Sequence, residues 1–165
     1  MRSLHDAGWV LETASDADID EMMTWFPDAR SVDLWGGPGF RFPFTPATFR
    51  EDCQVDRMDS YALRDRAGRL AAFGQSYERA GRGHLARLIA NPTRRRRGAG
   101  RQLIRMIIAS LDERHAYEEY SLFVYRDNVP AYRCYRDLGF VVTDYPPDAK
   151  MADQCVFLIR RGKVQ

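Results

Sequence analysis

The chain has 165 residues, 45% of them hydrophobic and 29% charged, with a net charge of +2; that suits one soluble domain with a real core and is too little charge for a general nucleic-acid binder. No run approaches the roughly 20 apolar residues of a membrane span, and residues 1–16 contain no apolar signal segment. Cys53, Cys134 and Cys155 are odd in number and lack CxxC spacing, which argues against a disulfide framework or a zinc site, so reduced thiols, a cytoplasmic setting and no metal are expected.

Taken in order, Trp9 to Thr13 reads as a first strand. Ser15, with Asp18 three residues on, starts a capped helix whose apolar stripe is Ile19, Met22, Met23 and Phe26, ended by Pro27. Ala29 to Trp35 is a second helix closed by Gly36-Gly37-Pro38, and the aromatic, proline-interrupted Gly39 to Phe44 is a loop. Thr45-Pro46 caps and opens a helix to about Gln54. Ser60 to Asp65 and Leu70 to Tyr77 flank the turn Arg66 to Arg69, and a second turn, Glu78 to Gly83, leads into a strand from His84 to Ala90. After a basic loop, Leu103, Ile104, Ile107, Ile108 and Leu111 recur on one helix face. Tyr120 to Tyr125 is a strand, Asn128 caps a helix from Val129 to Leu138, and Gly139 stops it. Phe140 to Tyr145 and Cys155 to Arg161 are the last strands. The order implies one α/β domain over residues 1–165 with a mixed sheet.

The stretch from His84 to Leu111 organises the rest. Its strand ends at Asn91-Pro92, and Thr93 to Arg97, then Gly98-Ala99-Gly100, lead into the helix. A helix start offers unpaired N–H groups and a positive dipole end, and glycines let a ligand approach the backbone. Arg94 to Arg97 add charge, so a diphosphate is the natural occupant. A Walker A loop would end in Gly-Lys-Ser/Thr, but Gly100 is followed by Arg101-Gln102; a dinucleotide fingerprint would need glycine where Leu103 stands.

Arg95-Arg96-Arg97-Gly98-Ala99-Gly100 resembles the acyl-CoA loop of the GNAT acetyltransferases, Gln/Arg-x-x-Gly-x-Gly/Ala. Further on, Asn128, Ala131, Tyr135, Gly139 and Phe140 fall on that family's Asn-x-x-Ala and Tyr-x-x-x-Gly-Phe pattern. The element order is similar too, so the resemblance covers almost the whole chain. It implies the GNAT fold: a mixed sheet of about seven strands splayed at the fourth and fifth, with helices on both faces. It also implies acetyl-CoA as co-substrate and N-acetyl transfer to a primary amine, on a small molecule or a peptide or protein N-terminus, by direct attack in a ternary complex.

The resemblance assigns roles by position. Arg95 to Arg101 would hold the diphosphate, and Leu88, Ile89 and Ala90 would offer backbone groups to the pantetheine arm, one N–H polarising the thioester carbonyl. Asn128 and Ala131 would contact the same arm, although Asn128 also suits a helix N-cap. Tyr135 would protonate the departing thiolate, with core packing as the alternative and Tyr132 as a neighbour able to replace it. His84 stands where several family members have a glutamate base; an imidazole near pKa 6.5 would give a rate limb near neutrality, whereas a histidine merely starting a strand would not. Glu78 and Asp33 are alternative bases. Trp35, Phe40 and Phe42 would wall the acceptor and Asp33 attract its amine, unless those aromatics simply pin the loop to the core.

Two rival readings are a non-catalytic acyl-CoA-binding module on the same fold and nucleic-acid binding through Arg94 to Arg97. DNA- and RNA-binding motifs are absent, which leaves a phosphate site as the better account of the arginines. Arginine crowds residues 79–105 and carboxylates crowd 12–33 and 51–59, a split that suits a phosphorylated cofactor and a cationic acceptor, or two solvated faces. The acceptor's identity is not legible, and a homodimer is one assembly the sequence leaves open.

Overall fold

The computed structural model describes residues 1–94, 97–115 and 117–163. Its elements are β1 (Leu4–Asp6), β2 (Trp9–Thr13), α1 (Asp16–Met23), α2 (Ala29–Gly36), α3 (Pro46–Cys53), β3 (Asp59–Arg64), β4 (Leu70–Arg79), β5 (Arg82–Ala90), α4 (Ala99–Arg114), β6 (Glu119–Tyr125), α5 (Val129–Asp137), β7 (Val141–Thr143) and β8 (Cys155–Arg161). The strands form one eight-stranded sheet in the order β1-β2-β3-β4-β5-β6-β8-β7. β5 and β6 run parallel through Gly83↔Tyr120 and His84↔Ser121. The β1–β2, β2–β3, β3–β4, β6–β8 and β7–β8 ladders are antiparallel.

The α/β class and the mixed sheet are as expected, but the strands number eight rather than about seven. The addition is β1, joined to β2 by Ala7 and Gly8 at φ 48° and 90°. Two consecutive left-handed residues make a tight two-residue hairpin. Such turns are usually announced by Asn-Gly or Asp-Gly, and alanine concealed this one. Ala80 and Gly81, at φ 50° and 75°, repeat the device between β4 and β5. The turn expected over Glu78 to Gly83 is therefore two residues long, and both strands extend toward it.

The chain divides into two compact units, Met1–Ser76 with Arg87–Ile107, and Tyr77–Ala86 with Ile108–Gln165. In the first, Ile19, Met22, Phe26, Val32, Phe49 and Phe73 belong to a buried cluster. Ser15, Asp28 and Thr45 each cap a helix start and complete a reciprocal capping box. Many carboxylates of the acidic stretches are engaged internally. Asp18, 5% exposed, accepts from Arg64 Nη2 at 2.8 and 3.0 Å, and Arg64 also pairs with Glu12. Asp20 pairs with Arg50 at 2.7 Å, and Asp52 with Arg41 at 2.9 Å. Those stretches are thus largely scaffold.

In the second unit, β6 and β8 pair along seven positions from Glu119↔Arg161 to Tyr125↔Cys155. Tyr120 is fully buried, its hydroxyl donating to Asp112. A Cβ at Gly83 would come 2.8 Å from the Tyr120 ring, so this crossing of β5 and β6 admits only glycine. No helix among the described residues is long and apolar enough to cross a membrane.

Candidate functional site

β5 delivers Leu88, Ile89 and Ala90, all half-buried, to the start of the basic loop. A Cβ on Gly74 of β4 would lie 2.8 Å from Leu88 Cδ2 and 3.1 Å from Leu103 Cδ2, so the missing side chain there lets both pack close. Asn91 then fixes the loop. Its N–H donates to the Ala71 carbonyl (2.8 Å), its Nδ2 to the Leu70 carbonyl (3.0 Å), and its Oδ1 accepts from the Thr93 N–H (3.1 Å) and hydroxyl (2.9 Å). Pro92–Arg94 forms one 3₁₀ turn, and Arg94 Nη1 reaches Asp65 at 3.2 Å. Arg94 is therefore a strut of the loop. Arg95 and Arg96 lie outside the described residues.

The turn into α4 has the features an anion requires. Gly98 has φ 78° and its carbonyl accepts from the Gln102 N–H at 3.0 Å, closing the first turn. Gly100 lies inside that turn, where glycine costs about 1 kcal/mol relative to alanine. Among the described residues, no other atom comes within 4 Å of a Cβ placed on either glycine. No described residue requires Gly100 to be small, and the space beside it leaves the backbone N–H groups of the turn open to approach. Arg97 is exposed and Arg101 half-buried on the same turn, while Ala99 is 3% exposed and faces the core.

In the second unit, Asn128 caps α5, its Oδ1 accepting from the Ala131 N–H at 3.4 Å, which leaves its Nδ2 donors for another partner. Tyr135 follows on α5, half-buried, its ring meeting Phe140 edge-on at 6.4 Å. Burial pushes its phenol above the ordinary value of 10, so it is protonated at neutral pH and able to donate. His84 is 2% exposed. Its Nδ1 lies 2.8 Å from Ser121 Oγ, and its ring sits between those of Tyr77 (5.0 Å) and Phe123 (5.1 Å). Burial, and then the nearby charge of Arg79, lower its pKa to about 3. That overturns the expectation of a histidine titrating near neutrality. The alternative bases Glu78 and Asp33 are both exposed, and Glu78 accepts from the Tyr117 hydroxyl at 3.3 Å.

The aromatic segment packs mainly on its own unit. Trp35 stacks on Phe49 (5.8 Å, 9° between planes) and touches Phe26 and Phe40, while Phe42, 39% exposed, meets Phe44 edge-on. A cavity of about 490 Å³ opens beside this cluster, lined among others by Gly36, Phe40, Glu51, Asp52, Asp56 and Arg87. Arg41 engages Glu51 at 3.1 Å as well as Asp52, holding the latter's carboxyl below the usual range. Cys53 is fully buried and burial pushes its thiol up to about 11, which makes it a poor acyl carrier. Among the described residues no group of three or more His, Cys, Asp or Glu is arranged to hold a metal ion.

The profile of the Acetyltransferase (GNAT) family matches residues 19–140. The chain belongs to this family. Among solved structures, the GNAT chain is similar to the spermidine N-acetyltransferase from Vibrio cholerae in complex with CoA and spermine, with a TM-score of 0.73 and 14% identity over 94% of this chain and 96% of that one. It is also similar to the ribosomal-protein-S5-alanine acetyltransferase from Vibrio fischeri, with a TM-score of 0.71 and 12% identity over 98% and 97% of the two chains. The ribosomal-protein-S18-alanine N-acetyltransferase from Escherichia coli gives a TM-score of 0.64 at 19% identity over 95% and 96%. No curated protein sequence matches it. At such identities the likeness establishes the GNAT fold and leaves the acceptor open.

Two residues of this GNAT chain are placed by contacts that its sequence does not announce. Ser121 is a small hydroxyl in a run of strand formers, and the pairing of β5 with β6 sets it opposite His84. Arg87 sits within β5 at φ 49°, and nothing in its neighbourhood in the sequence announces that.

Proposed function

We propose that the protein is an N-acetyltransferase that moves acetyl from acetyl-CoA to a primary amine by direct attack. The observation that carries the reading is the turn into α4: a left-handed Gly98, a Gly100 that no described residue requires to be small, and open space among the described residues beside both. Arg97 and Arg101, with Arg95 and Arg96 by motif, hold the diphosphate on the N–H groups of that turn. Backbone groups of Leu88 to Ala90 hold the pantetheine arm, a role the family motif gives to Asn128 as well.

The amine nitrogen adds to the thioester carbon, the tetrahedral adduct collapses, and the C–S bond breaks. Tyr135 gives its proton to the leaving sulfur and recovers one from solvent. Taking a proton from an alkylammonium near pKa 10 onto an imidazole held near 3 is uphill by on the order of 10 kcal/mol. The amine therefore attacks from its neutral fraction, and His84 serves only as an acceptor for the more acidic N–H of the adduct, a role water can share.

Spermidine and a peptide with N-terminal alanine, named for the structural relatives, are the first acceptors to try. Mass spectrometry of the products, with CoA release followed in parallel, tests the reading. Acetylated amine dependent on the protein and on acetyl-CoA supports it. Binding of acetyl-CoA with no transfer to a broad amine panel returns the non-catalytic module.

A further inference from the structure

Arg87 adopts φ 49° inside β5, a left-handed value that non-glycine residues take rarely and that a strand gives no reason to take. It is held from both ends. Nη1 donates to the Cys53 carbonyl at 3.3 Å and to Gln75 Oε1 at 3.0 Å, with the Met58 sulfur at 3.4 Å. Nη2 donates to the Asp52 carbonyl at 3.2 Å, so the guanidinium is gathered onto the C-terminal end of α3. Its own carbonyl accepts from the Trp35 indole N–H at 2.8 Å, and that indole is locked by stacking on Phe49. A left-handed residue persists where its surroundings over-determine it, and such places cluster at functional points.

Peptide geometry supplies a direction. In a trans peptide, the carbonyl of one residue and the N–H of the next point opposite ways. Anchoring the Arg87 carbonyl on the Trp35 indole therefore aims the Leu88 N–H directly away from that indole. Arg87 is also part of the wall of the cavity beside Gly36 and Phe40.

We infer that Trp35 and Arg87 are positioning residues for acyl transfer. They clamp the peptide between Arg87 and Leu88 so that the Leu88 N–H receives the thioester carbonyl oxygen as it gains negative charge. The inference rests on the acetyl-CoA reading given above. A donor aimed in advance at a developing oxyanion stabilises the transition state more than the ground state, so loss of aim should appear in kcat and spare KM.

Trp35→Phe removes the indole N–H and keeps an aromatic ring against Phe49. It should lower kcat roughly tenfold or more and leave the KM for acetyl-CoA within about twofold. Arg87→Gly accepts the left-handed backbone without strain but loses the guanidinium clamp, and should fall in the same direction. Infrared difference spectra of bound acetyl-CoA, ¹³C-labelled at the carbonyl, read the aim without turnover. The wild-type carbonyl band should lie below that of free acetyl-CoA, and both variants should move it back toward the free value. An unshifted band in Trp35→Phe, or an unchanged kcat alongside a lower melting temperature, overturns the inference and makes the clamp structural. If the wild type binds acetyl-CoA but acetylates no amine, the transfer reading fails, and the band alone still decides the clamp.

Discussion

His84 and Ser121 stand opposite each other in the parallel β5–β6 ladder, both buried, with Nδ1 and Oγ 2.8 Å apart. The hydrogen bond holds the imidazole in one orientation, while its surroundings keep it uncharged.

Acid should therefore weaken the fold through His84. Its pKa is about 3 when folded and near 6.5 in the unfolded chain. Above pH 6.5 both states are neutral there; below it the unfolded chain binds a proton that the folded one refuses. Stability falls progressively from about pH 6.5 toward 3, by as much as roughly 5 kcal/mol. His84→Gln keeps a polar partner for Ser121 and does not titrate, so its urea midpoint should decline less steeply over that window. Parallel declines would show that carboxylates alone govern acid unfolding.

The same low pKa governs the rate profile. The acceptor form of His84 is present at every working pH, so kcat/KM should show no limb from it near 6 to 7. The limb should follow the acceptor instead, and two amines of different pKa should give limbs displaced accordingly. A limb fixed near neutrality for both amines, and lost in His84→Ala, would restore His84 as a conventional base.

Tyr135→Phe should reduce turnover by roughly 10²-fold with little change in acetyl-CoA affinity, since the ring contact with Phe140 is retained. Unchanged turnover would transfer the role to Tyr132 or to water.

Gly100→Ala should move stability and binding in opposite directions. The helix gains by up to about 1 kcal/mol, because the new methyl meets no other described residue, while the methyl obstructs close approach of a diphosphate. The melting temperature without ligand should rise and the shift on adding acetyl-CoA should shrink. Pantetheine without phosphate should give a smaller shift than acetyl-CoA in the wild type. Equal shifts from both ligands would remove the diphosphate site.

Arg64→Leu should destabilise the protein by roughly 3 kcal/mol, because Asp18, 5% exposed, would lose its charge partner in the interior. Adding Asp18→Asn should recover part of the loss, as judged by denaturant midpoints.

Local signals made most of this legible. Helix starts were written in Ser15, Thr45 and Asn128, whose caps need only neighbouring residues, and the turn into α4 in two glycines before an amphipathic run. What stayed hidden depends on long-range contacts. The left-handed Ala7 and Ala80 are set by strand pairing, and alanine carries no turn signal of its own. The pKa of His84 is lowered by burial, with the rings of Tyr77 and Phe123 against it, and by the charge of Arg79, none adjacent in sequence. The aromatic segment looked equally suited to a binding wall and to core, and only the observed stacking of Trp35 on Phe49 separated the two for that residue.

The pairing of Asp18, Asp20 and Asp52 with arginines has a kinetic side. Arg64, Arg50 and Arg41 each serve two carboxylates, Glu12 with Asp18, Asp16 with Asp20, and Glu51 with Asp52, so each cluster keeps a net negative charge. Its field reaches about one Debye length, about 8 Å at physiological salt. A cationic amine is drawn faster in dilute salt, and so is a phosphate-bearing donor heading for the basic turn at Arg97 and Arg101. Added salt should thus slow the capture of both reactants.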